Sequence, residues 1–242
     1  MNTAIVIQAR MGSTRLPGKV LLPLTAERTV LDWVIERVRQ NRVVKDIVLA
    51  TTTAAHDDIL EEYANRNGIS LYRGSETDVL ARYLGAADRF GLEALVRITA
   101  DCPLIEPTLI DAVIRRGMNS GADYVSTEGY PRGSGDAEFV TVRALCSAEA
   151  NAGETEYYHE HVTTYLLDHP TQFQIEILHP RADEMRLDVR LTIDESADLE
   201  LVRQICEHFA PRIDFTLLEI LDFLDTHPTL AHLNAHVQQK IQ

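Results

Sequence analysis

Lysine is scarce in this chain: of 242 residues only Lys19, Lys45 and Lys240 are lysine, and the net charge is -14 with a pI near 5.0. So acidic a protein is repelled by nucleic acid and by anionic membranes, which excludes both as main partners. Long apolar runs are also missing. No stretch approaches the roughly 20 residues of a membrane span, and no basic segment with a hydrophobic signal core opens the sequence, so a cytoplasmic setting is expected. Cysteine is limited to Cys102, Cys146 and Cys206, odd in number and scattered, which argues against a disulfide framework or a zinc site and predicts buried, reduced thiols.

Against that acidic background one segment is cationic. Gln8-Ala9-Arg10-Met11-Gly12-Ser13-Thr14-Arg15-Leu16-Pro17-Gly18-Lys19 follows the apolar run Ala4–Ile7. A strand that stops at a glycine-containing turn leaves backbone N–H groups pointing forward, where they cradle anionic oxygens. Arg10 and Arg15 add planar forks, and Lys19 adds a compact point charge. Two common phosphate motifs do not fit. The Walker pattern needs four residues between its glycines and Ser or Thr after Lys, whereas five separate Gly12 from Gly18 and Val20 follows Lys19. The GxGxxG dinucleotide fingerprint is absent. The competing reading is a surface turn with incidental charges.

The first half alternates strand and helix patterns: strands over Ala4–Ile7, Ile47–Thr51, Ile69–Tyr72 and Ala94–Thr99, helices over Val30–Gln40, Asp57–Asn67 and Val79–Phe90. Leu31, Val34, Ile35 and Val38 recur at helical spacing, so Trp33 reads as packing. Such alternation predicts an α/β fold with a mostly parallel sheet covered on both faces, and ligands beyond the carboxyl ends of its strands. The opening loop, Thr51-Thr52-Thr53 and Ala100-Asp101-Cys102-Pro103 all fall at that edge. Beyond about residue 120 the pattern is irregular, and the region of about 120–170 reads as an acceptor-binding insertion in one domain of residues 1–242. Strands at Phe173–Leu178 and Leu187–Ile193 and helices at Ser196–Phe209 and Leu217–Leu224 complete the expectation.

Asp101 and Asp194 each end a strand-like run, Val96-Arg97-Ile98-Thr99 and Arg190-Leu191-Thr192-Ile193. Two such carboxylates opposite a cationic loop suit a magnesium–nucleotide complex, because magnesium takes one or two protein carboxylates together with phosphate oxygens. The competing readings are a helix cap for Asp194 and a turn carboxylate for Asp101. His159-Glu160-His161 lacks the spacing of the zinc motif His-Glu-x-x-His. The base of such a nucleotide would be read by backbone groups of the Ala9 loop and of Ala50-Thr51-Thr52.

On the opening loop, Arg97-Ile98-Thr99-Ala100-Asp101-Cys102-Pro103-Leu104, Leu191-Thr192-Ile193-Asp194, Glu160-His161-Val162-Thr163 and Leu233-Asn234-Ala235-His236-Val237, the chain resembles the SpsF-type spore-coat polysaccharide proteins. These belong to the acylneuraminate and 3-deoxy-manno-octulosonate cytidylyltransferase group. The resemblance implies a Rossmann-like, GT-A-like nucleotidyltransferase, a three-layer sandwich that takes CTP and Mg2+, transfers CMP to a small anionic acceptor such as a sugar acid, and releases pyrophosphate. Arg10, Arg15 and Lys19 would be catalytic. Ala9, Arg10, Met11, Gly12, Ser13, Arg15, Lys19, Thr51, Thr52, Arg73, Asp78 and Arg82 would bind the nucleotide, and Asp101 and Asp194 the metal. Asp136, Glu138 and His161 would meet the acceptor, and the middle region would form a homodimer. The chain departs from the group at Thr192-Ile193-Asp194, where some relatives have Asp-Ile-Asp, and at Glu195-Ser196, where Thr-Pro is common. His159 stands where arginine is common, and Thr164 where proline is. A glycosyltransferase would be expected to carry Asp-x-Asp at a strand end, which no acidic cluster supplies; a nucleotide-binding regulator would show no turnover.

Overall fold

The computed structural model describes residues 1–237; Lys240 lies outside them. Seven strands, β1 (Thr3–Gln8), β2 (Ile47–Thr52), β3 (Ser70–Gly74), β4 (Ala94–Thr99), β5 (Tyr124–Thr127), β6 (Ala137–Thr141) and β7 (Ile175–Leu178), form one sheet in the order β3-β2-β1-β4-β6-β5-β7. The ladders are parallel except where β6 pairs with β4 and β5. The helices are α1 (Val30–Val38), α2 (Asp58–Asn67), α3 (Val79–Phe90), α4 (Pro107–Ser120), α5 (Val142–Asn151), α6 (Glu156–His161), α7 (Thr164–Asp168), α8 (Ser196–Phe209), α9 (Leu217–Thr226) and α10 (Pro228–Ala231).

The period of two along β1 builds the layers. Ile5 and Ile7 pack with Leu31, Leu60 and Ile110 of α1, α2 and α4, whereas Ala4 and Val6 pack with Leu80 and Leu145 of α3 and α5. Helix boundaries follow local chemistry. Asp32 accepts from Thr29 N at 2.7 Å while its own N–H donates to Thr29 Oγ1, a capping box that starts α1. Gly68, at φ 62, closes α2 in the left-handed region that side chains with a Cβ avoid. The 120–170 region supplies β5 and β6 to the same sheet.

A third core joins Trp33, Leu104, Leu191 and Ile193 to Val202, Ile205, Ile220 and Leu221 of α8 and α9, and Trp33 lies 5.9 Å from the Phe215 ring. Arg37, wholly buried, links the layers: it donates to the carbonyls of Ile105 at 2.8 Å, Ile213 at 2.9 Å and Phe215 at 3.0 Å, and stands 3.6 Å from Glu106. One side chain thereby fastens α1 to the turn before α4 and to the chain between α8 and α9.

The strand expected at Leu187–Ile193 does not form. Val189, Leu191 and Ile193 alternate because they enter the third core, while the segment has only an isolated bridge from Arg190 to Arg132. Its backbone is spent elsewhere: Leu191 N donates to Arg132 O at 2.7 Å, and Ile193 N to Asp101 O at 2.9 Å. Cys102 and Cys206 are buried thiols, as expected; Cys146 is exposed, because α5 turns Ala144, Leu145 and Ala148 inward instead. Replacing Arg37 by Ala strands three carbonyls and Glu106 in the interior. A loss of about 3–5 kcal/mol is expected, measured as a lower urea midpoint at unchanged m-value.

Candidate active site

At the carboxyl ends of β1, β3 and β4 lies a cleft of about 1160 Å³. On one side the loop after β1 closes on itself, with Ser13 N and Gly18 N both donating to Met11 O at 2.9 Å. Gly18, at φ 70, makes the reversal that turns Lys19 inward. The amides of Arg10, Gly12, Thr14 and Arg15 carry no hydrogen bond among the described residues. These are the forward-pointing donors that a phosphate chain requires.

Lys19 is 9% exposed and sits at the centre. Its Nζ donates to Asp101 Oδ2 at 2.7 Å, to Asp194 Oδ1 at 3.0 Å and to Ile193 O at 2.6 Å. The two aspartates therefore meet in space, although 93 positions would separate them along a chain numbered 101 to 194. Burial alone would push both carboxyls up and the ammonium down. Mutual attraction outweighs it, holding Asp101 and Asp194 below the usual carboxylate range and Lys19 above the usual lysine value. Arg15 Nη2 reaches Asp194 Oδ1 at 3.1 Å, and Arg190 bonds its other oxygen.

The helix-cap reading does not account for Asp194. The N-cap of α8 is Glu195, and Asp198 accepts from Asp194 N at 2.9 Å and Glu195 N at 3.0 Å, so the Asp194 carboxylate stays free of capping. Behind it, Arg190 Nε donates to Asp198 Oδ1 at 3.1 Å, and Asn234 donates to Asp198 at 2.8 Å and to Arg190 O at 3.0 Å. The terminal Leu233–Val237 motif thus braces Asp194. Asp57, fully buried, supports the opposite wall by accepting from Met11 N at 2.7 Å and from Thr52 Oγ1.

Ala9, Arg10, Ser13, Arg15, Lys19, Asp78, Arg82, Asp101, Asp136, Glu138, His161 and Asp194 all line the cleft. Met11 and Gly12 do not line it; Met11 instead spends its backbone N–H on Asp57 and its carbonyl on Ser13 N and Gly18 N. Thr51, Thr52 and Arg73 do not line it. Thr51 and Thr52 are wholly buried, with Thr52 held by Asp57. Arg73 spends its donors on Glu61 and Asp58, both at 2.7 Å, on Thr52 O at 2.9 Å and on Ala54 O at 3.0 Å, which ties α2 to the sheet. The acidic start of α2 captures this arginine before the cleft does.

Across the cleft, Glu138 takes Arg97 at 2.6 Å and Tyr124 at 2.7 Å, with Thr163 at 3.3 Å. Asp136 accepts from Gly133 N and opens to the cleft beside Arg132. Asp78 caps α3 through Ala81 N at 2.8 Å and pairs with His159 at 2.9 Å. The other ring nitrogen of His159 lies 3.0 Å from Gly153 O; that carbonyl, more than burial opposes, raises the imidazole pKa, and Asp78 adds to it. Residues missed from sequence are Asp57, Arg97, Arg190 and Asp198. Asp57 and Arg97 depend on partners 46 and 41 positions away, whereas Arg190 and Asp198 pair locally around Asp194, and only the charge of Arg97 within an apolar strand offered a signal.

The Cytidylyltransferase family matches residues 4–216. The spore coat polysaccharide biosynthesis protein SpsF of Bacillus subtilis is 34% identical over 93% of this chain and 95% of its own length. A cytidylyltransferase from Leptospira borgpetersenii superimposes with a TM-score of 0.87 at 30% identity, covering 100% of both chains. A CMP-2-keto-3-deoxy-manno-octonic acid synthetase complexed with CTP shares the fold, with a TM-score of 0.67 at 15% identity over 86% of this chain and 99% of that one. With its seven-stranded α/β sheet and this match over most of its length, the chain belongs to the cytidylyltransferase family of nucleotidyltransferases.

Proposed function

We propose that the protein transfers CMP from CTP to a small anionic acceptor, a sugar acid or a related hydroxyl compound, with release of pyrophosphate and with Mg2+ as cofactor. The observation that carries this reading is the meeting of Asp101 and Asp194 on Lys19 beneath a loop of unpaired amides. An acceptor oxygen attacks the α-phosphorus in line. Arg10, Ser13, Arg15, Lys19 and the loop amides hold the triphosphate and offset charge as the bond to pyrophosphate lengthens. Arg132, which lines the cleft with Asp136, Glu138 and His161, would meet the acceptor's negative group, and those three its hydroxyls.

The aspartates fit a divalent cation by their chemistry: both are ionised, both are hard oxygen donors, and both already converge on a positive group. Magnesium would supply charge neutralisation and orientation of the phosphates there. Lys19 now stands between the ligands, and phosphate oxygens are the partners able to draw its ammonium forward.

Pyrophosphate release with Mg2+ across a panel of sugar acids is expected from CTP; equal rates from UTP or ATP would defeat the cytidylyl assignment. Lys19→Met and Asp101→Asn should each lower kcat by about 100-fold or more. Lys19→Met has a second signature. With the competing ammonium gone, nucleotide-free Mn2+ binding followed by electron paramagnetic resonance should tighten by about tenfold, while CTP binding weakens. Unchanged Mn2+ affinity would mean that Lys19 does not occupy the metal's position.

A further inference from the structure

Arg82 is 2% exposed, yet it lines the cleft. Its guanidinium makes one long hydrogen bond, Nη2 to Glu76 O at 3.5 Å; Nε has no partner, and no carboxylate pairs with it among the described residues. Arg37 and Arg97 also each hold one donor without a partner, Nη2 and Nε, but each has a carboxylate beside its guanidinium, Glu106 at 3.6 Å and Glu138 at 2.6 Å. Desolvation depresses the Arg82 pKa, and the nearby Arg10 adds to that effect. A buried cation without a counter-group costs free energy that a ligand recovers.

The shape of the surroundings says which ligand. Gly74 leaves room for the Arg82 stem: a Cβ there would lie 3.1 Å from Arg82 Cγ and 3.3 Å from its Cα. The side chain is thus laid against the end of β3, in the cleft that Ala9 and Val79 also line, where the charges of Arg10, Asp57 and Glu76 act on it. The alternative readers of a base, Ala50, Thr51 and Thr52, are sealed at 0% exposure, and Ala50 O already accepts from Ala9 N at 3.1 Å.

Two parallel N–H donors in one plane match two adjacent acceptors in one plane. Cytosine presents N3 and O2 side by side as acceptors. Uracil carries a hydrogen on N3, which would face a guanidinium N–H donor. We propose that Arg82 is the residue that distinguishes cytosine from uracil, by donating to the N3 and O2 edge of the base; this deepens, and rests on, the CTP reading above.

Calorimetric titration with Mg2+ and CTP, UTP or 3-deaza-CTP, in which a C–H replaces N3, tests this without any acceptor. The wild type is expected to bind CTP about 10- to 100-fold more tightly than the other two. Arg82→Met, which keeps the apolar stem, is expected to lower CTP to their level and to change UTP and 3-deaza-CTP little. An equal loss for all three nucleotides would make Arg82 a phosphate ligand or a structural residue and overturn the assignment. So would wild-type binding of 3-deaza-CTP as tight as that of CTP, an arm that needs no variant to fold. Failure of the wild type to bind any of the three would instead strike at the CTP reading itself.

Discussion

The junction of Lys19 with Asp101 and Asp194 is the contact on which both fold and site depend. It closes three segments upon one point: the loop after β1, the end of β4, and the chain entering α8. Pairing buried charges is an inefficient way to gain stability, since desolvation consumes most of the Coulomb attraction and well-packed apolar groups do as well. An ammonium between two carboxylates is therefore better explained by what it does with a ligand. The three charges form a group that can be rearranged around phosphates and a cation without any of them becoming unpaired.

The surrounding structure fixes the carboxylates and leaves the lysine to move. Asp194 is held by Arg190, Arg190 by Asp198, and Asp198 by Asn234 and two backbone amides. Asp101 lies on a backbone tied to Ile193, whose N–H it accepts at 2.9 Å. Lys19, in contrast, has a flexible four-carbon stem, and its backbone follows a glycine turn. Rigid anions with one adjustable cation are a reasonable physical design for a site that must take up a charged substrate and release two charged products.

Much of this was legible in the sequence because it rests on local periodicity. The continuous apolar run Ala4–Ile7 and the helical spacing of Leu31, Val34, Ile35 and Val38 marked strand and helix directly, and parallel order placed the loops at one edge. Leu187–Ile193 shows the limit of the same signal: alternation reports which residues are buried, not whether a neighbouring strand is present. Arg73 shows another. The family resemblance put it at the nucleotide, but Asp58 and Glu61 on the preceding helix claim it, and nothing in one sequence says which charges meet. Asp57 was missed for the same reason, since its partners are a backbone amide 46 positions earlier and a neighbouring threonine.

Net charge imposes the last constraint. At -14 the protein repels a triphosphate at a distance, so capture must occur at short range, within roughly the 8 Å over which charges act in physiological salt. Inside that range the cleft offers Arg10, Arg15 and Lys19, with acids set directly among them, since Asp194 contacts both Arg15 and Lys19 and Asp101 contacts Lys19. The divalent cation proposed to accompany the nucleotide would reduce both obstacles at once: it would lower the ligand's charge during approach and satisfy the aspartates when Lys19 turns to the phosphates. On that proposal, metal and nucleotide would be coupled through the charges of Lys19, Asp101 and Asp194.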